Sequence, residues 1–479
     1  MAVRPAFPTG SSMVERIARA VRRFAPAAIL AASVLALLIM RASDWRGDEY
    51  TYSAMARAVG EWLRGSVSGR QAMQAIFGTG WFMPGIALIG APPFVLTDDP
   101  PHWLQRGWLL AINLGLTALL IRRFARQFGP RHAALAMLFP GLAAGWYFSA
   151  LSWFPEITAG LLSTLALLAG WRCAVRISRG SLPEWQDVAA MEVCLIAALY
   201  LRGPALLLAL ALNGFLILLA VLAMRGALPR LAAGCLAIAL ALAPWSIAAS
   251  RHFDATVITT TNVPLVLADG FGDPARTCFG RCPAGRDIWP AWQFAQGRAA
   301  QTGENPLVVE RRMMRASLSG LSPRTYLRTV RANFARFLFE PSHVARLFEP
   351  VMHGVPPGMR AGLLAFVALA TWLLYAPMLA ALLLANVARL RGGDGQRLQS
   401  LLIKLGTAAA FAQPFVHKSS GRYWVAFAPL MAWSAALLIA AWRDRPGHRR
   451  HSAVAGVLDA AQTTYAAAFA LAALVLLAA

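Results

Sequence analysis

Apolar runs of bilayer-spanning scale, separated by short basic stretches, recur from one end of the chain to the other. They occupy 26–40, 103–121, 132–150, 157–171, 188–201, 204–223, 231–249, 361–388, 398–416, 422–441 and 453–477. Residues 81–97 are apolar as well, but they carry Pro84, Pro92 and Pro93 and end in Thr97-Asp98-Asp99-Pro100-Pro101. Proline removes a helical donor, and unpaired backbone is costly in hydrocarbon, so this stretch reads as a membrane-dipping or interfacial segment. Residues 50–64 place Tyr52, Met55, Val59 and Trp62 on one face of a helix and Arg57 and Glu61 on another, the pattern of a short helix lying along the interface. The chain is expected to be an all-α polytopic membrane protein with about eleven transmembrane helices.

The polar positions orient these spans. Basic residues Arg4, Arg16, Arg19, Arg22 and Arg23 precede the first run, which places that end in the cytoplasm. A signal peptide would show similar basic and apolar regions, but no clean small-x-small cleavage site follows. With 81–97 kept out of the count, the inner loops hold Arg122 to Arg131, Arg172 to Arg179, Arg225 with Arg230, Arg389 with Arg391 and Arg397, and Arg443 to Arg450. Every short inner loop is then basic, and the chain ends outside. The division expected is a transmembrane catalytic module over 1–250, with its first outer loop at 41–102, an outer subdomain over 251–360 and further transmembrane helices over 361–479.

Composition agrees with this picture. Of 479 residues, 58% are hydrophobic and 14% charged, and the mean hydropathy is +0.53, which excludes an ordinary soluble domain. The net charge of +23 follows loop topology, so nucleic acid is not an expected partner and the lipid bilayer is. Long loops cross membranes largely regardless of charge, so the arginines of 251–360 carry separate information. Arg311, Arg312, Arg315, Arg324, Arg328, Arg331 and Arg336 lie on helical patterns beside Tyr326, Leu327, Phe334, Phe337 and Phe339. Such helices bind anionic head groups, or simply cap the bundle. Cys173, Cys194 and Cys235 read as packing residues, whereas Cys278 and Cys282 are expected to form a short-range disulfide in an oxidising compartment, with free thiols as the alternative.

Four outer junctions carry ionisable residues. They are Asp48-Glu49 after the first run, Glu156 between the third and fourth, Arg202 after the fifth, and His417, Lys418, Arg422 and Tyr423 after the ninth. Charges at membrane depth are costly, so two acids and several cations gathered at one face point to chemistry on an anionic, phosphorylated substrate.

Several motifs also carry a resemblance. Gly47-Asp48-Glu49 is followed by Tyr52-Ser53-x-Met55-Ala56-Arg57. Arg106 precedes the second span. Later come Trp153-Phe154-Pro155-Glu156, Leu201-Arg202-Gly203-Pro204, Ala243-Pro244-Trp245 with Thr260-Thr261-Asn262, and His417-x-x-x-Gly421-Arg422-Tyr423 with Pro429. In this order the chain resembles the GT-C superfamily of polyprenyl-phosphate-sugar glycosyltransferases, especially the bacterial branch of lipid A aminoarabinose transferases and protein O-mannosyltransferases. The resemblance implies a GT-C-like bundle with interfacial helices in the first outer loop and a small periplasmic subdomain. The implied setting is the bacterial inner membrane with a periplasmic active site. The implied reaction moves a sugar, with inversion, from a polyprenyl-phosphate donor to a hydroxyl on a glycan, lipid or protein acceptor. In that reading Asp48 is the general base, Glu49 supports it, and Glu156 orients sugar hydroxyls or a metal. Arg202, Lys418 and Arg422, then Arg57 and Arg106, are candidates for the donor phosphate, and His417, Tyr423 and Tyr52 for other substrate contacts. A divalent ion, if the enzyme uses one, would fall to Asp48 and Glu156. The chain departs from the aminoarabinose transferases where Tyr50-Thr51 stands in place of their Thr-Arg. The rival readings are a transporter or flippase of a lipid-linked sugar, for which no repeat symmetry is visible, and an O-antigen ligase or polymerase.

Overall fold

The computed structural model describes residues 13–282, 288–353, 355–390, 392–443 and 454–478. Arg4, Arg391, Arg445, Arg449 and Arg450 lie outside the described residues, so their expected part in the inner loops is not addressed. Among the described residues all regular structure is helical. Seven helices are long and apolar enough to cross a membrane: those ending at Met40, Phe128, Ser178, Ala223, His252, Val387 and Ala478.

The other expected spans take different forms. Residues 132–150 do not make one helix: Pro130–Leu142 and Ala144–Ala150 are separated at Ala143, whose ψ of 115° is extended. Trp185–Leu201 is a single helix of 17 residues, and it carries Asp187 and Glu192. Asp394–Phe411 ends before Pro414, and a second short helix, Gln413–Val416, follows. The run expected at 422–441 opens as the 3-10 turn Gly421–Ala426 and becomes α-helical only from Ala428 to Arg443. Two buried cations of the Asp394–Phe411 helix have structural partners. Lys404 is fully buried and donates to the carbonyls of Ala385 and Ala388 at 2.7 and 2.9 Å, closing the C-terminal end of the Pro357–Val387 helix. Arg397 pairs with Asp459 at 2.9 Å and ties the Asp394–Phe411 helix to Ala455–Ala478.

Glu156–Ser178 is the central helix. It packs against Trp185–Leu201, Ala205–Ala223, His102–Phe128, Asp394–Phe411 and the Gly421–Ala426 turn, and most of its residues are buried. Gly160 permits the last of these contacts, because a Cβ at that position would overlap the carbonyl of Ala426. In the 81–97 segment the prolines leave two short helices, Gly85–Gly90 and Pro92–Leu96, whose Phe94 is fully buried. The Glu49–Leu63 helix buries Tyr52, Met55 and Val59 as its spacing predicts, but Trp62 is 50% exposed rather than on the packed face.

Residues 253–356 contain short helices that share a small core of Leu265, Cys278, Ala295, Val309 and Met313 with Trp81 from the first loop. Cys278 and Cys282 are bonded to each other. The Pro323–Phe339 helix does not belong to that small core. Its Phe337 joins the main bundle core, and Asn333 donates to the carbonyls of Pro414 and His417 at 3.2 Å. Arg324, Arg328 and Arg331 occupy its exposed side, while Phe339, expected on the apolar face, is 58% exposed.

Candidate active site

The two carboxylates of the first loop face different surroundings. Gly47 turns the chain at a φ of +56°, in the left-handed region that glycine adopts without strain, and Asp48 then sits at the start of the Glu49–Leu63 helix. Its side chain does not cap that helix. Instead Asp48 Oδ2 accepts from Arg422 Nη2 at 2.7 Å, although 374 positions separate them in sequence. Among the described residues Oδ1 of Asp48 has no hydrogen-bond partner, and the side chain is 30% exposed.

Glu49 points the other way and is fully buried. It accepts from Arg106 at 3.2 Å and from the backbone N–H groups of Trp153 and Arg46 at 3.0 Å. Arg106, equally buried, also donates to the carbonyls of Asp44, Ser43 and Leu151 and stacks 4.6 Å from the Trp45 ring. This cluster joins the 43–49 loop to the 151–153 turn and thereby sets Asp48 opposite the start of the Glu156–Ser178 helix. Arg106 is therefore committed to protein acceptors and is not available to a donor phosphate. Glu49 is enclosed in the same way and has no exposed surface.

Glu156 opens the central helix, where the aligned peptide dipoles favour a carboxylate. Its Oε1 lies 3.4 Å from Arg422 Nε and 3.9 Å from Arg202 Nη1, and its Oε2 is buried without a hydrogen-bond partner. One guanidinium thus bridges both acids. Arg422 also lies over the Phe154 ring at 4.4 Å, and Arg202 over Tyr423 at 4.8 Å. Phe154 stands within a motif singled out in the sequence, but its place beneath a cation was not anticipated there. Tyr52, one helical turn after Asp48, has a phenol that burial pushes well above its ordinary pKa, with the charges of Asp48 and Glu156 adding to the effect. It therefore stays protonated as a donor beside the two acids.

His417 packs against Tyr423 with ring centres 5.9 Å apart, and burial pushes its imidazole down to about 4, so it is neutral near pH 7. Lys418, expected to meet a phosphate, pairs with Asp269 at 3.3 Å, on the Val263–Phe271 helix. Nothing in the sequence marks Asp269, because an acid in an isolated nine-residue helix has no distinguishing pattern. Arg57 is held at the loop surface by Asp99 at 2.6 Å and by the carbonyl of Asp98. It belongs to a separate exposed pair and not to the Asp48 cluster. The structure thus brings together Asp48, Tyr52, Glu156, Arg202, His417, Arg422 and Tyr423, and assigns Glu49, Arg57, Arg106 and Lys418 to other contacts.

Asp48 and Glu156, the pair considered for a divalent ion, already share the fixed positive charge of Arg422. The described residues contain no group of three or more His, Cys, Asp or Glu side chains able to hold a metal. This donor set does not fit a divalent cation, and no chemical step is assigned to one.

Beside this cluster a narrow cavity of about 90 Å³ runs between helices. Arg202 and Tyr423 line it together with Leu167, Leu208, Phe427 and Leu430. A charged array and an apolar interhelical groove are therefore continuous. These features define a class: an all-α, membrane-embedded protein with a partly buried carboxylate–arginine array at the end of its central helix. No protein-family model, curated protein or solved structure matches the chain.

Proposed function

We propose that this protein transfers a sugar from a polyprenyl-phosphate donor to an acceptor hydroxyl at the periplasmic face of a bacterial inner membrane. The observation that carries this reading is the bridging of Asp48 and Glu156 by Arg422, with Arg202 alongside at the mouth of an apolar groove. A lipid phosphate needs both halves of that arrangement: cations for its head and hydrocarbon for its tail. The finer architecture proposed with it has eleven crossings, the seven long helices plus the shorter elements they enclose, in a GT-C-like arrangement.

In the resting site Arg422 occupies Asp48. A phosphate bound at Arg422 and Arg202 competes for the guanidinium and releases the Asp48 carboxylate to act as base. The acceptor oxygen then forms its bond to the anomeric carbon as its proton passes to Asp48. On the opposite side the bond between that carbon and the phosphate oxygen breaks, and the electron pair leaves with the polyprenyl phosphate. Arg202 and Arg422 stabilise the departing charge, a contribution commonly worth 10²–10³-fold per donor. Tyr52 and Glu156 offer a donor and an acceptor for sugar hydroxyls, and Phe154 and Tyr423 keep water from the arginines.

The test is mass-spectrometric detection of sugar transfer from a panel of polyprenyl-phosphate sugars in reconstituted membranes. Asp48→Asn is expected to lower the rate by roughly 10²–10⁴-fold, the usual range for a general base, while donor binding persists. Transfer by Asp48→Asn at the wild-type rate would exclude Asp48 as the base. Movement of labelled donor between leaflets by wild type, with no transfer to any acceptor, would instead establish the transporter reading.

A further inference from the structure

The far end of the central helix carries a second charged recess, unrelated to the site just described. Arg172 and Arg176 follow Glu156 by 16 and 20 positions, which at 1.5 Å per residue puts them about 24 and 30 Å along the axis. That distance matches the hydrocarbon thickness of a bilayer, about 30 Å, so the recess opens at the opposite membrane face. It is a cavity of about 560 Å³, lined by Arg123, Arg172, Arg176 and Arg179 against the carboxylates of Glu184 and Asp187.

The positive charge in this recess is only partly answered. Arg172 pairs with Asp187 at 2.8 Å, and Arg176 pairs with Glu184. Arg123 and Arg179 form no ion pair among the described residues although they line the same walls. The Nε of Arg172 is buried without a hydrogen-bond partner. Solvated helix-end arginines would point outward and leave no recess. Here they line one shared, half-open recess that holds an unused buried donor.

We propose that this recess binds a phosphate-bearing group, supplied by the headgroup of an anionic phospholipid of the adjoining leaflet. Guanidinium groups match phosphate oxygens in forked pairs, and the Ser181 and Gln186 side chains on the same walls add neutral donors. The rim supports a lipid source. Leu182 and Trp185 are 37% and 55% exposed there, and Arg230 lies 5.3 Å over the Trp185 ring. An exposed indole beside a basic recess at the end of a membrane helix is suited to the headgroup level. Lipid binding in this recess is independent of the reaction proposed for the other face.

The test compares wild type with the double variant Arg123→Gln/Arg179→Gln, which leaves both ion pairs of the recess intact. Lipid retention is read by native mass spectrometry after release from membranes containing phosphatidylglycerol and phosphatidylcholine. Melting temperature is read in zwitterionic detergent with and without inorganic phosphate. Wild type is expected to retain phosphatidylglycerol preferentially, and the variant to weaken that preference roughly 10- to 30-fold, about fivefold per arginine removed. An unchanged lipid preference, with phosphate raising the melting temperature of wild type alone, would keep the phosphate chemistry and overturn the lipid source. Equal behaviour of both proteins in both measurements would overturn the site altogether.

Discussion

At the residue scale, adjacent acids in one turn have opposite roles because successive helical side chains point about 100° apart. Asp48 faces Arg422 and remains partly exposed, whereas Glu49 turns into a fully buried pair with Arg106. Removing one partner of such a pair strands a charge in low dielectric, typically at a cost of 3–5 kcal/mol. Arg106→Gln and Glu49→Gln are therefore each expected to lower thermal stability and folded yield, while the folded fraction keeps its donor KM. Stability and transfer kinetics measured on the same preparation check this. A raised KM at unchanged stability would return Arg106 to the phosphate site. The sequence marks Asp48, Glu49 and Arg106 as candidates, and it shows the two acids as adjacent at a helix start. The commitment of Arg106 is not legible there, because, Glu49 apart, its acceptors are the backbone carbonyls of Ser43, Asp44 and Leu151, which leave no mark in side-chain identity.

At the element scale, the site depends on how closely the Gly421–Ala426 turn lies against the first turns of the Glu156–Ser178 helix. Gly160 sets that approach, since any side chain there meets the Ala426 carbonyl. Overpacking a tight contact typically costs 1–3 kcal/mol and shifts backbone. Gly160→Ala is expected to displace Arg422 and Tyr423 from Glu156 and to lower transfer by about 10²-fold, the scale of a misplacement near 1 Å. Parallel measurements of transfer rate and thermal stability separate the two effects, because the activity loss should exceed what the stability loss accounts for. The apolar runs made the helix of 156–178 legible. The interruption of 422–441 was not, since a window of apolar residues does not distinguish a 3-10 turn from the helix it precedes.

At the scale of the whole molecule, two groups outside the membrane spans give opposite pH dependences. Glu310, on the Pro306–Leu318 helix, is buried with an unpartnered Oε2, and burial pushes its carboxyl up to about 7. Between about 4.5 and 7 the folded state therefore holds more protons than the unfolded one, and this contribution to stability is lost as pH rises. His417 is pushed down to about 4, against about 6.5 unfolded, so in that interval the unfolded state holds more protons and stability rises with pH. The two slopes oppose each other in the wild type. Glu310→Gln is expected to stabilise the protein at pH 8 by about 3 kcal/mol and to leave it unchanged near pH 4, exposing the His417 slope. Thermal unfolding from pH 4 to 8 checks it, and an unaltered profile would mean that Glu310 is ionised in the folded protein.

Amphipathicity and apolar run length determined the helical, membrane-embedded class, because the cost of placing unpaired backbone and charge in hydrocarbon acts locally on each segment. Local chemistry also marked the proline-broken 81–97 stretch, the Cys278–Cys282 pair and the acids and arginines at the helix ends. Tertiary structure alone decided which of those charges meet. Arg422 reaches Asp48 across 374 positions, Lys418 turns to Asp269, Arg57 to Asp99 and Arg106 to Glu49. Each cation binds whichever acceptor the packing of distant helices brings within a few ångströms, and the Coulomb energy that selects among them depends on that distance and on burial, neither of which spacing along the chain encodes.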